Sequence, residues 1–397
     1  MEASRKPPLA GTRVIDIGQL VAGPMVASIL GDFGARVIKV EGPRRPDPQR
    51  RLYQKDGIGL WARVENRNKE AIALDLKSDR GRELLEGLLA DADVLVENFR
   101  PGVLERLGLA PDRLLAEVNA GLVICRVSGW GQTGPRRERR GYGRTGEAAS
   151  GFSHLNGEAN GPPMHSAVSL GDTVAALWGA YGVVLALRAR DRDGTGQVVD
   201  VGLNEGLMRM IVHQVVVRDQ LDRTLKRMGN QNPGVATVNM YETGDGKFFT
   251  VSNATPRTQQ ALIDLVGLGD DPRLGTVDGI EADRERFNAH LSAWMKERDI
   301  EEVDRLFETA GAVGTPVWSA EEILAEPHLR EREMILEVDD PDLGTIQMPG
   351  VVPKLSRTPG GVRSSGEELG ASTDRVLTEL LGLGAAELAE LRDAGVV

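Results

Sequence analysis

The feature that constrains the fold most is an alternation of short apolar strands and helical segments along the first 130 residues. Arg13-Val-Ile-Asp-Ile17 reads as a buried strand, Gly18 to Pro24 as a loop, and Met25 to Phe33 as a helix stopped by Gly34. Arg36-Val-Ile-Lys-Val-Glu41 follows as the next strand, closed by Gly42-Pro43. The pattern returns with a helix over 81–90 and strands at 93–99 and 122–127. Strands joined through helices pair in parallel with helices on the sheet faces, so the expected class is α/β.

Residues 128–171 break the pattern. They are rich in Gly, Pro, Ser and Arg and far longer than an ordinary connection, which marks a functional or disordered loop. An apolar helix is expected over 173–190, then a turn at Arg192-Asp-Gly-Thr-Gly196 and a strand at 197–201. A further helix over 204–221 should set Leu207, Met210, Ile211, Val215 and Val216 on one apolar face. Beyond the linker Gly229-Asn-Gln-Asn-Pro233, a hairpin about Asp245-Gly246 and helices at 256–267, 283–297 and 300–310 suggest a smaller α+β domain. The expected division is a large domain over 1–224, a small one over 225–330, and a return to the large domain over 331–397, with a strand at 335–338 and helices near 374–394.

With 397 residues the chain has room for two domains and a large core. Its net charge of −11 argues against nucleic acid as a partner, so an anionic ligand needs a local basic patch. A single cysteine, Cys125, excludes a disulfide framework and fits a reducing cytoplasm. Its place in Leu122-Val-Ile-Cys-Arg-Val127 suits a buried strand position. The leading Met-Glu-Ala-Ser-Arg-Lys-Pro-Pro has no apolar signal-peptide core, and no run approaches ~18 apolar residues, so no membrane association is expected.

Nucleotide and catalytic motifs are few. Gly141-Tyr-Gly-Arg-Thr-Gly146 has the letters of a dinucleotide fingerprint, but Arg136-Arg-Glu-Arg-Arg140 precedes it instead of a strand. Glu41, at the end of the second strand, is placed to hold a ribose hydroxyl, which keeps an NAD-dependent oxidoreductase as an alternative. There is no Gly-x-Ser-x-Gly elbow, and the five histidines show no metal spacing.

Two features carry more weight. Asp172 opens the apolar helix, where it serves either as an N-cap or as a nucleophile supported by the helix dipole. Arginines 136, 137, 139, 140 and 144 form either a solvated loop or a phosphate clamp, and they belong to the same long segment that ends at Asp172.

These residues lie among segments that resemble the class III coenzyme A transferases, which include formyl-CoA and carnitine CoA-transferases. The matching segments run from Pro8-Leu-Ala-Gly-Thr-Arg-Val-Ile-Asp16 through Val21-Ala-Gly-Pro24, Gly34-Ala-Arg-Val-Ile-Lys-Val-Glu41, Asn66-Arg-Asn-Lys69 and Leu74-Asp-Leu-Lys77. They continue with Val96-Glu-Asn-Phe-Arg-Pro-Gly102, Ser128-Gly-Trp-Gly-Gln-Thr-Gly-Pro135 and Gly194-Thr-Gly-Gln197, collinear over residues 8–220, with a weaker echo at Pro327-His-Leu-Arg330. The resemblance implies a Rossmann-like large domain, a small domain and two interlocked chains in a homodimer. It places the nucleophile on Asp172. It places coenzyme A contacts on Val21, Ala22, Leu74, Lys77, Asn98, Phe99, Arg100, Arg106, Arg139, Arg140 and Tyr142. Coenzyme A and its thioesters are substrates in this reading, with no metal and no tightly bound cofactor.

Departures narrow the expected chemistry. Formyl-CoA transferases carry a glutamate where this chain has Gly143, a glutamine where it has Val21, and a glycine-run lid with no counterpart over 225–260, so formyl-CoA and oxalate are not the expected pair. The related α-methylacyl-CoA racemases carry Gly-His-Asp-x-Asn-Tyr where this chain has Gly141-Tyr-Gly-Arg-Thr-Gly146. Without that acid and base, an acyl-CoA racemase or isomerase is only an alternative. The expected reaction is transfer of coenzyme A from an acyl-CoA donor to a carboxylic acid acceptor, a dicarboxylic acid suiting the arginines. A coenzyme A-binding module without chemistry stands beside it if Asp172 only caps its helix.

Overall fold

A computed structural model describes residues 6–232 and 234–397; Met1–Arg5 and Pro233 of the linker lie outside the described residues. The chain divides into two compact units. The larger comprises residues up to 153, 165–222 and 328–397, and the smaller 154–164 and 223–327.

In the larger unit, β1 (Arg13–Asp16), β2 (Arg36–Glu41), β3 (Lys69–Ala73), β4 (Val94–Glu97), β5 (Val123–Ser128) and β6 (Val198–Gly202) form one parallel sheet. Their order is β3-β2-β1-β4-β5-β6, so the winding reverses between β1 and β4. The carboxyl ends of the strands at such a reversal open a crevice where ligands bind in open α/β sheets. Successive strand residues feed opposite faces. Val14, Val94 and Cys125 pack under α1 (Ala22–Asp32) and α4 (Leu170–Asp193), with α2 (Asp79–Ala90) and α3 (Gly143–Ser150) lying between those two in sequence. Ile15, Leu95 and Ile124 pack on the other side, against Leu85 and Leu88 of α2 and the C-terminal Leu377 and Leu391. The fully buried Cys125 has its thiol pushed by burial up to about 12, as inert as its strand position predicts.

Several boundaries differ from the sequence expectation. Helix α1 begins at Ala22, three residues early, because the Gly18–Val21 loop is held more tightly than its composition suggests. Strand β3 carries no turn signal of its own and emerges only from pairing with β2. The 128–171 segment is not an unbroken loop but contains α3 and a short turn of helix at Phe152–Leu155. The helix expected over 204–221 breaks at Ile211 into α5 (Glu205–Met210) and α6 (Val212–Leu221). That break turns the expected apolar face. Leu207 is buried, whereas Met210, Val215 and Val216 stand exposed, as do Leu177, Tyr181 and Leu185 on the outer side of α4.

Helix α4 is the one helix among the described residues long and apolar enough to cross a membrane, and half of its most apolar stretch is buried inside the chain. Packing explains its composition. A Cβ added at Gly179 would lie 2.8 Å from Val26 and 3.3 Å from the Cys125 sulfur, so α4 sits on α1 and the sheet at glycine distance.

The smaller unit holds a three-stranded antiparallel sheet in which β8 (Phe248–Ser252) lies between β7 (Val238–Glu242) and β9 (Gly314–Pro316). Helices α7 (Pro256–Leu265), α8 (Arg284–Lys296) and α9 (Ile300–Ala310) bury Leu262, Phe287, Leu291 and Phe307 against it, and the Phe249 and Phe307 rings meet at 4.8 Å. In the larger unit the chain ends with the hairpin 335–340/344–349 and helices α10 (Thr373–Leu381) and α11 (Ala385–Asp393).

The α4 contact makes a prediction. Gly179→Val should overpack the α1–α4–sheet junction and lower unfolding stability by roughly 1–3 kcal/mol, read by urea denaturation. Gly179→Ala should cost less, and an unchanged midpoint for both would mean the helix stands off the sheet.

Candidate active site

The crevice at the winding reversal is shaped first by buried charge. Asp16, the last residue of β1, accepts the Gly18 N–H at 2.9 Å and the Lys69 Nζ at 3.0 Å, with Lys39 Nζ at 3.6 Å. Lys69 also donates to Pro24 O at 2.7 Å and Asn66 Oδ1 at 3.2 Å, while Lys39 reaches the Gly18 carbonyl and stands 3.4 Å from Asp47. All of these side chains are buried. Burial pushes the Asp16 carboxyl up, but the two ammonium groups outweigh it and hold Asp16 below its ordinary value. Burial likewise pulls Lys39 down, and Asp16, Asp47 and Glu41 overcome it and raise that ammonium. The segments Lys39-Val-Glu41 and Asn66-Arg-Asn-Lys69 are therefore structural: they lock the β1–α1 loop.

The loop has a second clamp. Gln19 N–H donates to Asn98 Oδ1 at 2.8 Å, and Asn98 Nδ2 returns a bond to Gln19 O at 2.8 Å. Leu20, at φ 62°, donates its N–H to Asp47 at 3.0 Å. Gly23 passes 3.1 Å under Asn98, measured from an added Cβ, which excludes a larger residue. Val21 then serves as the N-cap of α1 without a side-chain capping bond, and with Pro24 lacking an N–H the orphan donors of that first turn are those of Ala22 and Gly23, Ala22 lining the crevice.

On the β4–β5 side, Glu97 accepts the Phe99 N–H at 2.6 Å and the Arg126 Nε at 2.6 Å, and Arg126 reaches Glu105 at 2.8 Å. Burial pushes the Glu97 carboxyl up to about 7 despite Arg126. The chain beyond β5 then folds back on itself: an added Cβ on Gly129 would meet the Gly141 Cα at 2.9 Å. Arg136 and Arg139 lie over the Trp130 ring at 5.2 and 5.5 Å.

Asp172 stands at the end of this path. It is the third residue of α4, and Ser169, whose carbonyl accepts the Thr173 N–H at 2.9 Å, occupies the N-cap position. The N-cap role is thus corrected: Asp172 makes no capping bond within α4. Gly171 abuts Gly143, with an added Cβ 2.3 Å from its carbonyl oxygen, so the two helix starts approach at a distance only glycine allows. The Asp172 carboxylate turns instead to Gly143 at the start of α3. An added Cβ on Gly143 would sit 2.1 Å from Asp172 Oδ2, so only glycine fits beneath the carboxylate. Burial pushes the Asp172 carboxyl up to about 6; the Gly143 N–H hydrogen bond opposes that shift and the Glu147 charge adds to it. Its charged form is poorly solvated.

Around it lies a cleft of about 250 Å³. Val21, Ala22, Asn98, Phe99 and Arg100 line one side, and Arg140, Tyr142 and Asp172 another. Leu74 and Lys77 line a second cleft of about 710 Å³, beside Phe99 and the Gly42–Arg45 turn. Arg106 lines a third, of about 510 Å³, with Arg100 and Arg126. Arg139 lines none of the three and stacks on Trp130. Gln19, Leu20 and Ser128 border the Asp172 cleft without having been singled out from the sequence. Ser128, inside the matched segment Ser128-Gly-Trp, was the most accessible of these signals. Among the described residues no group of three or more His, Cys, Asp or Glu side chains is arranged to hold a metal. Gly141–Gly146 leads into α3 from an irregular segment, which is not the strand–turn–helix setting of a dinucleotide fingerprint.

The profile of CoA-transferase family III matches residues 9–373. This chain is a family III CoA-transferase. It is 38% identical over 403 residues to the succinyl-CoA–D-citramalate CoA-transferase of Chloroflexus aurantiacus, covering 100% of both chains. It is 30% identical over 398 residues to the human succinyl-CoA:glutarate CoA-transferase, covering 98% of this chain and 90% of that one. A CAIB/BAIF family protein from Brucella suis has a crystal structure that superposes with a TM-score of 0.85 at 27% identity, covering 95% of this chain and 100% of that one. As a CoA-transferase, the protein acts on acyl-CoA thioesters and carboxylic acids.

Two variants test the geometry. In Gly143→Ala the new methyl would take the place of the Asp172 carboxylate, and transferase turnover should fall on the order of 100-fold while the chain stays folded. Undiminished turnover would show that the carboxylate has room to spare. Lys69→Met removes one counter-charge from buried Asp16 and should cost on the order of 3 kcal/mol in a denaturation experiment; a neutral result would mean Lys39 alone suffices.

Proposed function

We propose that Asp172 is the nucleophile of the transfer and that the three clefts form one coenzyme A path. The observation that carries this reading is the Asp172 carboxylate, desolvated and set against Gly143 at the edge of a cleft that also collects Val21, Ala22, Asn98, Phe99, Arg100, Arg140 and Tyr142. The adenosine end fits the wider cleft beside Leu74 and Lys77, and the phosphates fit Arg106 and its neighbours.

The chemistry then follows from the carboxylate. An Asp172 oxygen attacks the donor's thioester carbonyl, the C–S bond breaks, and a mixed anhydride forms with release of coenzyme A thiolate. The thiolate attacks the aspartyl carbonyl of the anhydride, freeing the donor acid and leaving an aspartyl-CoA thioester. The acceptor carboxylate attacks that thioester, and the thiolate released finally takes the acceptor's acyl group. Asp172 is regenerated and the thioester bond is conserved. Each tetrahedral oxyanion needs donors, which the uncapped start of α1 beside Val21 and Ala22 supplies.

The acceptor in this reading is a small dicarboxylic acid. Relatives are named for succinyl-CoA with D-citramalate, L-malate and glutarate, and Arg100 and Arg140 line the cleft beside Asp172. The Rossmann-like character rests on the β3-β2-β1-β4-β5-β6 order. The proposed assignment of coenzyme A to the large domain, expected over 1–224 and 331–397 beside a small domain over 225–330, is supported by all three clefts being lined by residues of the larger unit, whereas 154–164 group with the smaller one. A homodimer is supported by the apolar side chains left exposed on α4 and α6, and a cytoplasmic setting by the single buried thiol.

Two experiments test the nucleophile. Asp172→Asn keeps the shape and an oxygen that can accept the Gly143 N–H, so stability should change by no more than about 1 kcal/mol, while transfer falls by orders of magnitude. Wild-type enzyme given acyl-CoA alone and quenched with hydroxylamine should carry one modified aspartate, mapped to position 172. Label elsewhere, or an active Asp172→Asn, would overturn the assignment. The pH profile is a further check. The raised pKa makes the reactive carboxylate disappear as pH falls through about 6, so kcat/KM should drop tenfold per unit below that value and level off above it. A plateau extending down to pH 4 would contradict it.

A further inference from the structure

Glu147 lies one turn beyond Gly143 on α3, on the side of that helix that meets Asp172. Its side chain is fully buried. One carboxylate oxygen accepts the Ser166 N–H at 3.2 Å and faces His165 Nδ1 at 3.7 Å, while the other has no hydrogen-bond partner. The half-exposed His165 is steadied by the Ser153 hydroxyl at 3.3 Å from the same nitrogen. Arg144 donates to the Ser166 carbonyl at 2.9 Å, and the strap that starts at His165 runs directly into α4 and Asp172.

A buried carboxylate short of donors is costly, and a second carboxylate nearby makes it more so. The other charged groups on the packed elements do not relieve it. Arg144 is turned to the strap, Glu205 on α5 accepts the Gly202 N–H at 2.8 Å, and Arg209 on α5 is exposed. His165 is the group that faces Glu147 with a charge it gains on protonation.

We propose that Glu147, balanced by His165, is a positioning residue for the reaction: its charge keeps the neighbouring Asp172 carboxylate strongly nucleophilic, and the imidazole sets how much of that charge Asp172 feels. The proposal rests on reading Asp172 as the nucleophile. Glu147 touches no substrate and acts through the field across the start of α3. Its charge also raises the Asp172 pKa, in line with this role.

The test compares kcat/KM and kcat for acyl-CoA from roughly pH 4.5 to 8 in wild type, Glu147→Gln and His165→Asn, with thermal midpoints alongside. Glu147→Gln keeps the shape and the Ser166 bond. Its acid limb should move to lower pH by about half to one unit, with kcat on the plateau reduced several-fold and KM unchanged. His165→Asn should move the limb the other way, because Glu147 loses its counter-charge. If Glu147→Gln proves unstable, His165→Asn on its half-exposed side chain decides the matter alone. A wild-type limb near pH 6 that neither variant moves, or that both move in the same direction, overturns the role of Glu147 and leaves Asp172 in place. An absent limb together with an active Asp172→Asn overturns the nucleophile, and this proposal with it.

Discussion

The arrangement around the crevice depends on a charge network with almost no exposure to solvent. Asp16 at the end of β1 is held by Lys39 from β2 and Lys69 from β3, and Lys39 extends it to Asp47. Ion pairs buried this deeply contribute little net stability, since desolvation offsets most of the Coulomb attraction. Their value is geometric: few backbone conformations bring Gly18 N–H, Gly18 O and Pro24 O onto these three side chains together. The β1–α1 loop is thereby set in one shape, with Leu20 strained at φ 62° and the start of α1 left uncapped at the crevice.

The opposite wall is built by close approach instead of charge. Gly129 meets Gly141, Gly171 meets Gly143, and Gly143 meets the Asp172 carboxylate. Each contact brings backbone to within a distance that a Cβ would prevent. The starts of α3 and α4 converge as a result, and the carboxylate lies between them, half-buried at the edge of the cleft. That explains why Asp172 has a raised pKa although two helix starts, which favour anions, adjoin it: loss of hydration outweighs one backbone hydrogen bond and the dipoles.

Much of this was legible in the chain. The strands of the parallel sheet were readable because each is a short apolar run bounded by Gly, Pro or Asp, except β3, whose Lys69-Glu-Ala-Ile-Ala73 lacks such bounds and takes its strand form from pairing with β2. Asp172 and the eleven positions implied by family resemblance were also nameable, and all but Arg139 line a cleft of the larger unit. The helix break at Ile211 was not readable, because Leu207 to Val216 keeps helical periodicity in letters while the backbone does not.

What the sequence determined by itself is the α/β class, most strands of the parallel sheet and the family, since periodicity and collinear motifs are local properties of the chain. What only the tertiary structure decided is which partner each polar group takes. Lys39, Lys69 and Asn66 could have been ligand contacts and are instead internal struts. Asp172 read as either a cap or a nucleophile, and the fold turns it from its own helix start to a glycine 29 positions earlier in the chain. Glu147 carried no signal until folding placed it, buried and half-satisfied, one turn from that glycine. Desolvation and close contact arise only when distant segments meet, so no reading of local pattern contains them.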